Sequence, residues 1–339
     1  ISYADLDKET RLYIKDKFCT CKEGKPDYYY AFIEQSLNFL DDTGTLAYLI
    51  PNNIFKNRFG KRIRDLLKDS LIKVIDYDNL KMFEGKLTTS SVIICNQSKK
   101  KRSIEYKNIP NKLTYRIQKK DLNDKWIFNA NAECLETTHI FGDEFNVFMS
   151  VATLLNKAFV ISDFIEENGY YVVDDCYRIE KEVVRLTASP RAISRGKKEL
   201  IIFPYRYDDG LVRIGESFYN DFPYACEYLK QYKEELEKSN KDNNALWFEY
   251  GRSQALAKLN TEKLLISPIV SNNIKVARLE KMCIPYSGIV ITPKNNNSLD
   301  DAENILKSKL FFKYVENIGI KSNGNSIRIS VTDIKKYKY

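Results

Sequence analysis

The sequence of 339 residues contains one histidine, His139, and seven cysteines that are scattered along the chain. A Ser-His or Cys-His catalytic centre needs a histidine beside its nucleophile, and structural metal sites usually combine several Cys and His ligands. Cys19 and Cys21 form the only close cysteine pair, and no second pair accompanies them. We therefore expect neither a metal site nor a histidine-based catalytic centre, and the odd number of cysteines indicates reduced thiols in a cytoplasmic protein.

Long apolar runs are also missing. No run approaches the ~18 residues that a membrane-spanning helix needs, so no membrane span is expected. The chain begins with Ile1, and no signal peptide is recognisable. These features suggest a processed product or a fragment.

The composition indicates a globular protein with a mild preference for anions. Hydrophobic residues make up 43% of the chain, and 54 Lys and Arg against 46 Asp and Glu give a net charge of +8. The surplus favours a polyanionic partner without establishing one. The 23 tyrosines and 18 phenylalanines offer flat faces for bases, although ordinary core packing explains most such rings.

Residues 27–95 predict alternating helices and strands. Helical spacing of apolar residues covers 27–40, and a basic amphipathic pattern covers 59–68. Short apolar runs predict strands at 45–51, 71–76 and 90–95. The run at 45–51 is continuous, which is typical of a strand buried on both faces. Together these elements predict a parallel sheet that ends in a hairpin.

The remainder of the chain predicts a second domain of mixed structure. Residues 103–133 show short strands and loops without a strong period, residues 164–220 predict β-rich structure, and helices are predicted at 227–240 and 300–315. We place a first domain at 1–105, a connector at 106–145 and a second domain at 146–339.

Several stretches resemble one enzyme family. GKPDYYYAFIE (24–34), TGTLAYLIP (43–51) and FEGK (83–86) with SSVII (90–94) resemble, in order and spacing, the back half of the catalytic domain of Taq-type (gamma-class) adenine-N6 DNA methyltransferases. This family includes enzymes fused to restriction endonucleases. VATLLNKAF (151–159), IIFPY (201–205), WFEYGRSQAL (247–256) and YSGIV (286–290) resemble the target-recognition region of the same enzymes more loosely.

The resemblance implies two domains of different fold class. The first would be an α/β unit, the C-terminal half of a Rossmann-like class I methyltransferase sheet. An α+β target-recognition domain would follow it. The family's catalytic Asn-Pro-Pro-Tyr and its glycine-rich cofactor loop do not occur in this sequence. We therefore expect both to precede Ile1, so that the chain contains no catalytic residue and by itself transfers no methyl group.

The resemblance also implies roles for three residues. Phe83 matches the position at which the family stacks an aromatic ring on the flipped adenine, and the alternative is a buried loop residue. Lys86 follows on the same turn, where it would meet a phosphate or simply be solvated. Phe32 matches the position that packs on the adenine ring of S-adenosylmethionine, although its place on an apolar helix face also suits core packing.

The candidate DNA contacts lie in the second domain. Arg reads guanine and Gln reads adenine through paired hydrogen bonds, which makes Arg252 and Gln254 candidates. The alternative is structural, with Arg252 paired to Glu249, and we favour a structural or phosphate-contacting role over base reading. The basic stretch between 185 and 198 suits phosphate contact or a mobile surface loop, and Arg206 is a weaker candidate. The members of the basic stretch are Arg185, Arg191, Arg195, Lys197 and Lys198.

Three functions compete at this point. The first is a site-specific adenine-N6 DNA methyltransferase of a restriction-modification system, with S-adenosylmethionine as cofactor, duplex DNA as partner and no metal. The second is a non-catalytic DNA-binding specificity module, which has no need of the methyltransferase-like segment at 27–95. The third is methylation of RNA or protein, which the large second domain disfavours.

Overall fold

A computed structural model describes residues 3–78, 80, 89–98, 101–128, 138–321 and 326–339. The chain forms two compact units. Unit 1 comprises Ile1–Leu135 together with Lys313–Ile329, and unit 2 comprises Glu136–Phe312 together with Ser330–Tyr339. The predicted limits at 105 and 146 differ from this division, because residues 103–118 form strands of the unit 1 sheet.

The secondary structure of the described residues is as follows. The α-helices are α1 (Lys8–Lys17), α2 (Tyr29–Asn38), α3 (Lys61–Ser70), α4 (Phe141–Glu144), α5 (Asn156–Phe159), α6 (Pro190–Ser194), α7 (Phe218–Asp221), α8 (Pro223–Lys230), α9 (Lys233–Lys238), α10 (Leu299–Lys307), α11 (Lys309–Ile318) and α12 (Val331–Lys335). The strands are β1 (Thr45–Pro51), β2 (Leu71–Asp76), β3 (Ser90–Asn96), β4 (Ser103–Asn108), β5 (Leu113–Gln118), β6 (Phe145–Met149), β7 (Val160–Ile161), β8 (Ile165–Glu167), β9 (Tyr170–Val173), β10 (Tyr177–Glu180), β11 (Val184–Ala188), β12 (Glu199–Ile202), β13 (Tyr205–Tyr207), β14 (Leu211–Arg213), β15 (Lys263–Ile266), β16 (Ile269–Val270), β17 (Val276–Leu279), β18 (Ile284–Pro285), β19 (Ile289–Pro293), β20 (Ile320–Lys321) and β21 (Ile327–Arg328).

Unit 1 is built on a mixed five-stranded sheet in the order β1-β3-β2-β4-β5. β3 pairs antiparallel with both β1 and β2, whereas β2 and β4 pair in parallel. β1 and β2 therefore point the same way, and β2 and β3 pair as an antiparallel hairpin, both as predicted. The order differs, because β3 lies between β1 and β2 and the sheet continues through β4 and β5. The ends of β1, β2 and β4 and the start of β3 consequently meet at one side of the sheet, here called the carboxyl edge.

The prediction that β1 is buried on both faces is wrong. Its side chains alternate between exposed and partly buried, Leu49 is 40% exposed, and only Ile50 is fully buried. The reason is that α2 packs on one face of β1, where the Ser36 and Tyr48 hydroxyls lie 2.8 Å apart, while most residues of the other face are exposed.

The predicted helices of unit 1 are present with shifted bounds. α2 covers most of 27–40 and buries Tyr30, Ile33 and Leu37 in the unit 1 core. α3 begins two residues later than predicted, after a 3₁₀ turn at Arg58–Gly60. Arg64 of α3 is buried and donates to the carbonyls of Ile54 and Asn57 at 2.7 and 2.8 Å, so one of the basic residues belongs to the core.

Unit 2 combines several small sheets with short helices. One sheet has the order β18-β11-β12-β7, a second β17-β15-β19-β6, and a third β10-β9-β8, while β13 and β14 form a hairpin. A separate hydrophobic core fills this unit. The β-rich structure predicted for 164–220 is confirmed, with α6 and α7 inserted.

Both long helices predicted in the second domain are broken. The first becomes α8 and α9 because Tyr232 leaves the helical conformation, with a ψ of 5°. The second becomes α10 and α11 because Ser308 is extended, and its Oγ accepts from the backbone N–H of Phe311 at 3.1 Å. A side-chain cap of this kind competes with helix continuation, which spacing of apolar residues does not reveal. No helix among the described residues has the length and apolar character of a membrane span.

Candidate functional site

The carboxyl edge of unit 1 carries a network of polar side chains centred on Asp76 (the Asp76 network). Asn52 follows β1, and its Nδ2 donates to Asp76 Oδ1 at 2.7 Å. The Tyr106 hydroxyl of β4 donates to Asp76 Oδ2 at 2.5 Å. Ser91 of β3 donates to Asn52 Oδ1 at 2.5 Å, and Asn108 Nδ2 donates to Tyr106 at 3.3 Å. Four segments are thus joined at the side where open α/β sheets bind ligands.

Asp78 connects this network to Lys321, a residue near the C-terminal end of the chain. Its backbone has a φ of 45°, a left-handed conformation that a residue other than glycine seldom adopts. Its N–H donates to Asp76 Oδ1 at 2.8 Å, and its carboxylate pairs with Lys321 Nζ at 2.5 Å. The conformation is therefore held by one local and one distant partner.

Two more lysines bind the chain next to Lys321, at residues 318 and 319. Lys56 Nζ donates to the carbonyl of Gly319 at 2.9 Å, and Lys125 Nζ donates to that of Ile318 at 3.1 Å. Cations are favourable at the carbonyl end of a helix, here the end of α11. Burial, with repulsion from Lys321 and Lys125, lowers the pKa of Lys56 to about 8.

Phe83 and Lys86 lie outside the described residues. The chain on either side of them is described, and hydrogen bonds fix it at the carboxyl edge. The N–H of Tyr77 donates to the carbonyl of Ser90, and the N–H of Asn52 donates to that of Thr89, both at 3.0 Å. Tyr77 and Thr89 therefore lie beside the Asp76 network.

Phe32 lies on α2 but not on its buried face. Its ring is 54% exposed and makes an edge-to-face contact with Tyr28 at 5.1 Å between ring centroids. Core packing, the alternative reading of this residue, is therefore excluded. The exposed ring remains a candidate surface for a flat ligand.

Residues 190–198 of unit 2 form the cationic segment. It contains α6, capped by Ser189, whose Oγ accepts from the N–H of Ala192 at 3.1 Å, and a turn at Gly196 with a φ of 63°. All four cations of the segment are exposed, and none forms an ion pair with a residue that the structure describes. They are Arg191, Arg195, Lys197 and Lys198.

Arg185, grouped with these cations in the sequence, is placed differently. Its guanidinium donates to the carbonyls of Glu182 and Val184 at 2.8 and 2.9 Å and lies over the ring of Phe203. Burial lowers its pKa. Arg185 is thus engaged by its own strand region and is not part of the exposed set.

The remaining candidates are exposed but differ in their partners. Arg206 pairs with Asp208 at 3.2 Å, and Arg252 pairs with Asp242 at 2.6 Å. Gln254 is exposed. The Arg252 side chain holds the pKa of Asp242 below its ordinary value, with help from the N–H of Ser253.

The predicted structural alternative for Arg252, a pair with Glu249, is wrong. Glu249 is 1% exposed and instead accepts two hydrogen bonds from Arg213, at 2.8 and 2.6 Å. Lys241 donates to the carbonyls of Leu246 and Glu249 at 3.2 and 3.1 Å. The WFEYG stretch (247–251) is therefore held by Arg213 and Lys241 and not by Arg252.

Sequence reasoning missed Asp76, Asp78 and Tyr286. Asp76 is the last residue of an apolar strand, and polar residues at the carboxyl ends of strands are candidates for a ligand site, so the sequence could have indicated it. The partners of Asp78 and Tyr286 are distant in sequence, and no local pattern predicts them. Within the described residues no group of three Cys, His, Asp or Glu side chains is arranged to hold a metal ion.

The chain is similar to known restriction-modification proteins. The family model described as "Eco57I restriction-modification methylase" matches residues 1–83. The type II restriction enzyme and methyltransferase RM.Eco57I of Escherichia coli is 25% identical over 74% of this chain and 29% of its own length. The type II methyltransferase M.BstVI of Geobacillus stearothermophilus is 22% identical over 93% of this chain and 61% of its own length.

The fold is shared with a solved structure. The type IIL restriction-modification enzyme MmeI, determined in complex with DNA, superimposes with a TM-score of 0.69 at 11% identity and covers 99% of this chain and 45% of its own. The chain thus spans less than two thirds of each of these proteins. The resemblance to restriction-modification methyltransferases is confirmed, and the likeness of fold extends over both units.

Proposed function

We propose that this chain is part of a site-specific adenine-N6 DNA methyltransferase of a restriction-modification system. Unit 1 forms one wall of the transfer site, and unit 2 recognises the DNA target. The observation that carries the proposal is that Tyr77 and Thr89, described residues on either side of Phe83 and Lys86, are hydrogen-bonded at the carboxyl edge beside the Asp76 network. That edge is where an open α/β sheet binds its ligands.

An adenine inside a duplex must leave the base stack before its amino group can be methylated. Phe83 supplies an aromatic face for the extruded base, and stacking of a base on such a ring is worth about 1–3 kcal/mol. Lys86 meets a neighbouring phosphate. Tyr77 and Thr89, which flank these two residues in the chain, are hydrogen-bonded beside the Asp76 network. Fixed flanking residues lower the entropy that is lost when a base is bound.

S-adenosylmethionine supplies the transferred methyl group as an electrophilic carbon on its sulfonium. The exposed ring of Phe32 fits the adenine moiety of that cofactor, since a ring buried in the core would not be accessible to it. The catalytic Asn-Pro-Pro-Tyr of the family does not occur in this sequence. No residue of this chain is therefore proposed to accept the proton of the amino group.

In unit 2 the cationic segment contacts DNA phosphates. Arg206 is a weaker flanking candidate, because its ion pair with Asp208 would have to break first. Exposed guanidinium and ammonium groups that lack an internal partner can neutralise phosphates without first breaking an ion pair. Arg252 and Gln254 follow the aromatic stretch at 247–250. Because Arg252 is already paired with Asp242, we assign it to structure before base reading.

The proposal is tested with the full-length protein that contains this chain. Tritiated methyl transfer from S-adenosylmethionine to duplex DNA is measured for the wild type and for Phe83→Ala, and circular dichroism checks folding. We expect N6-methyladenine in wild-type product and a loss of about fivefold to 150-fold in turnover for the variant, because about 1–3 kcal/mol of stacking energy is removed.

Two results would contradict the proposal. Wild-type protein that binds DNA but transfers no methyl group would favour the non-catalytic specificity module. Undiminished turnover of folded Phe83→Ala would remove the stacking role. Phe39→Ala is a matched control, because Phe39 is 78% exposed and lies just after α2 rather than at the carboxyl edge.

A further inference from the structure

The two ends of the cationic segment are joined by a single tyrosine. The Tyr286 hydroxyl donates to Glu199 Oε2 at 2.9 Å and lies 3.1 Å from Ser189 Oγ. Ser189 directly precedes the segment, and Glu199 directly follows it. One hydroxyl therefore bridges two positions that are ten residues apart in the chain.

The region around Tyr286 makes further contacts with the start of the segment. β18 pairs in parallel with the end of β11, and the N–H of Tyr286 donates to the carbonyl of Ala188 at 3.2 Å. Gly288 has a φ of 112°, and a Cβ atom there would lie 3.1 Å from the ring of Pro190. A backbone hydrogen bond thus fixes the main chain of Tyr286, and its side-chain hydroxyl forms the bridge.

Glu199 gives the bridge an unusual character. Its side chain is buried, with the residue 7% exposed, and it accepts from Tyr286 and from Ser162 Oγ at 3.3 Å. Neither donor carries a positive charge. Burying a carboxylate without a cation is costly, and the hydrogen bond from Tyr286 compensates part of that cost as long as Glu199 stays buried.

From these contacts we infer that Tyr286 is a positioning residue for DNA binding, which holds the cationic segment in one conformation before an anion arrives. This inference rests on the proposed contact between the segment and DNA. A segment that is already fixed in its bound conformation loses less entropy on binding. A substitution that frees the segment therefore weakens affinity without removing any charge. Loss of order in a preformed contact acts mainly on the dissociation rate.

The experiment compares Tyr286→Phe with wild type in the full-length protein. The Kd for duplex DNA and the dissociation rate are measured across a series of salt concentrations. We expect Kd to rise about fivefold to tenfold, chiefly through faster dissociation, while the slope of log Kd against log salt stays unchanged because all four cations remain. A purely structural hydroxyl would lower the melting temperature and leave Kd unchanged at permissive temperature.

Controls separate the bridge from general effects. Tyr207→Phe removes a hydroxyl that donates to the carbonyl of Leu256 at 2.7 Å, away from the segment, and should leave Kd unchanged. Glu199→Gln keeps an acceptor for Tyr286 and should bind nearly as wild type. If Tyr286→Phe fails to fold, Ser189→Ala, which loses the bridge and the cap of α6 together, should raise Kd at an unchanged salt slope.

The outcomes are distinct. Salt-independent or absent binding by the wild type would contradict the proposed function itself. Wild-type binding with an unchanged Kd for Tyr286→Phe, or a Kd that rises together with a reduced salt slope, would overturn the positioning role while leaving the proposed function intact.

Discussion

The Asp76 network and the cationic segment use polar side chains in opposite ways. In the network, side chains from separate strands pair with one another, and Tyr106 and Ser91 are buried. In the cationic segment, four charged side chains face solvent without an ion-pair partner among the described residues. Paired groups fix a site, because each bond restricts both partners, whereas unpaired charges remain available to an external anion.

Breaking the network should have the largest effect on stability. Asp76→Ala leaves Asn52 Nδ2 and the buried Tyr106 hydroxyl without their acceptor, and an unsatisfied buried group costs about 1–3 kcal/mol. We expect the free energy of unfolding of unit 1 to fall by about 3 kcal/mol, measured by urea denaturation. Asp65→Ala is the control, since its exposed pair with Lys61 contributes less than ~1 kcal/mol. Equal losses for both variants would show that the network is not a special stabiliser of unit 1.

Two arginines close in sequence should respond differently to the same substitution. Arg195→Gln removes an exposed cation, and we expect the salt slope of DNA binding to fall by about 0.9 with stability unchanged. Arg185→Gln removes hydrogen bonds to two carbonyls, and we expect about 1 kcal/mol of lost stability with the slope unchanged. The measurements are binding titrations at several salt concentrations and urea denaturation. Matching slopes for the two variants would erase the distinction between engaged and available cations.

The smallest effect concerns pH. Because Arg252 and the N–H of Ser253 hold the pKa of Asp242 below its ordinary value of 3.8, this carboxylate stabilises the fold above that value. The contribution is lost as pH falls through the lower folded pKa. We expect wild type to exceed Asp242→Asn in unfolding free energy by less than ~1 kcal/mol near neutral pH, and the gap to close under acid, since the pair is partly exposed. A gap that persists unchanged at low pH would contradict the ion pair.

The local pattern of apolar residues predicted most elements of unit 1, because α2, α3 and the first three strands follow from spacing and turn residues. It did not predict the position of β3 between β1 and β2, since pairing between strands depends on residues far apart in the chain. It also overestimated helix length at Tyr232 and Ser308, where a side-chain cap or a local turn interrupts an otherwise favourable pattern.

For the candidate sites, sequence alone determined which residue types are present and their resemblance to restriction-modification methyltransferases. It placed Arg185 with its four basic neighbours, and it offered Glu249 as the partner of Arg252. Only the tertiary structure separated Arg185 from the exposed cations, gave Glu249 to Arg213, and brought Lys321 to Asp78 and Tyr286 to Ser189 and Glu199. The physical reason is that a charge or hydroxyl acquires its role from its burial and its nearest partner, and chain folding sets both over distances that no local pattern spans.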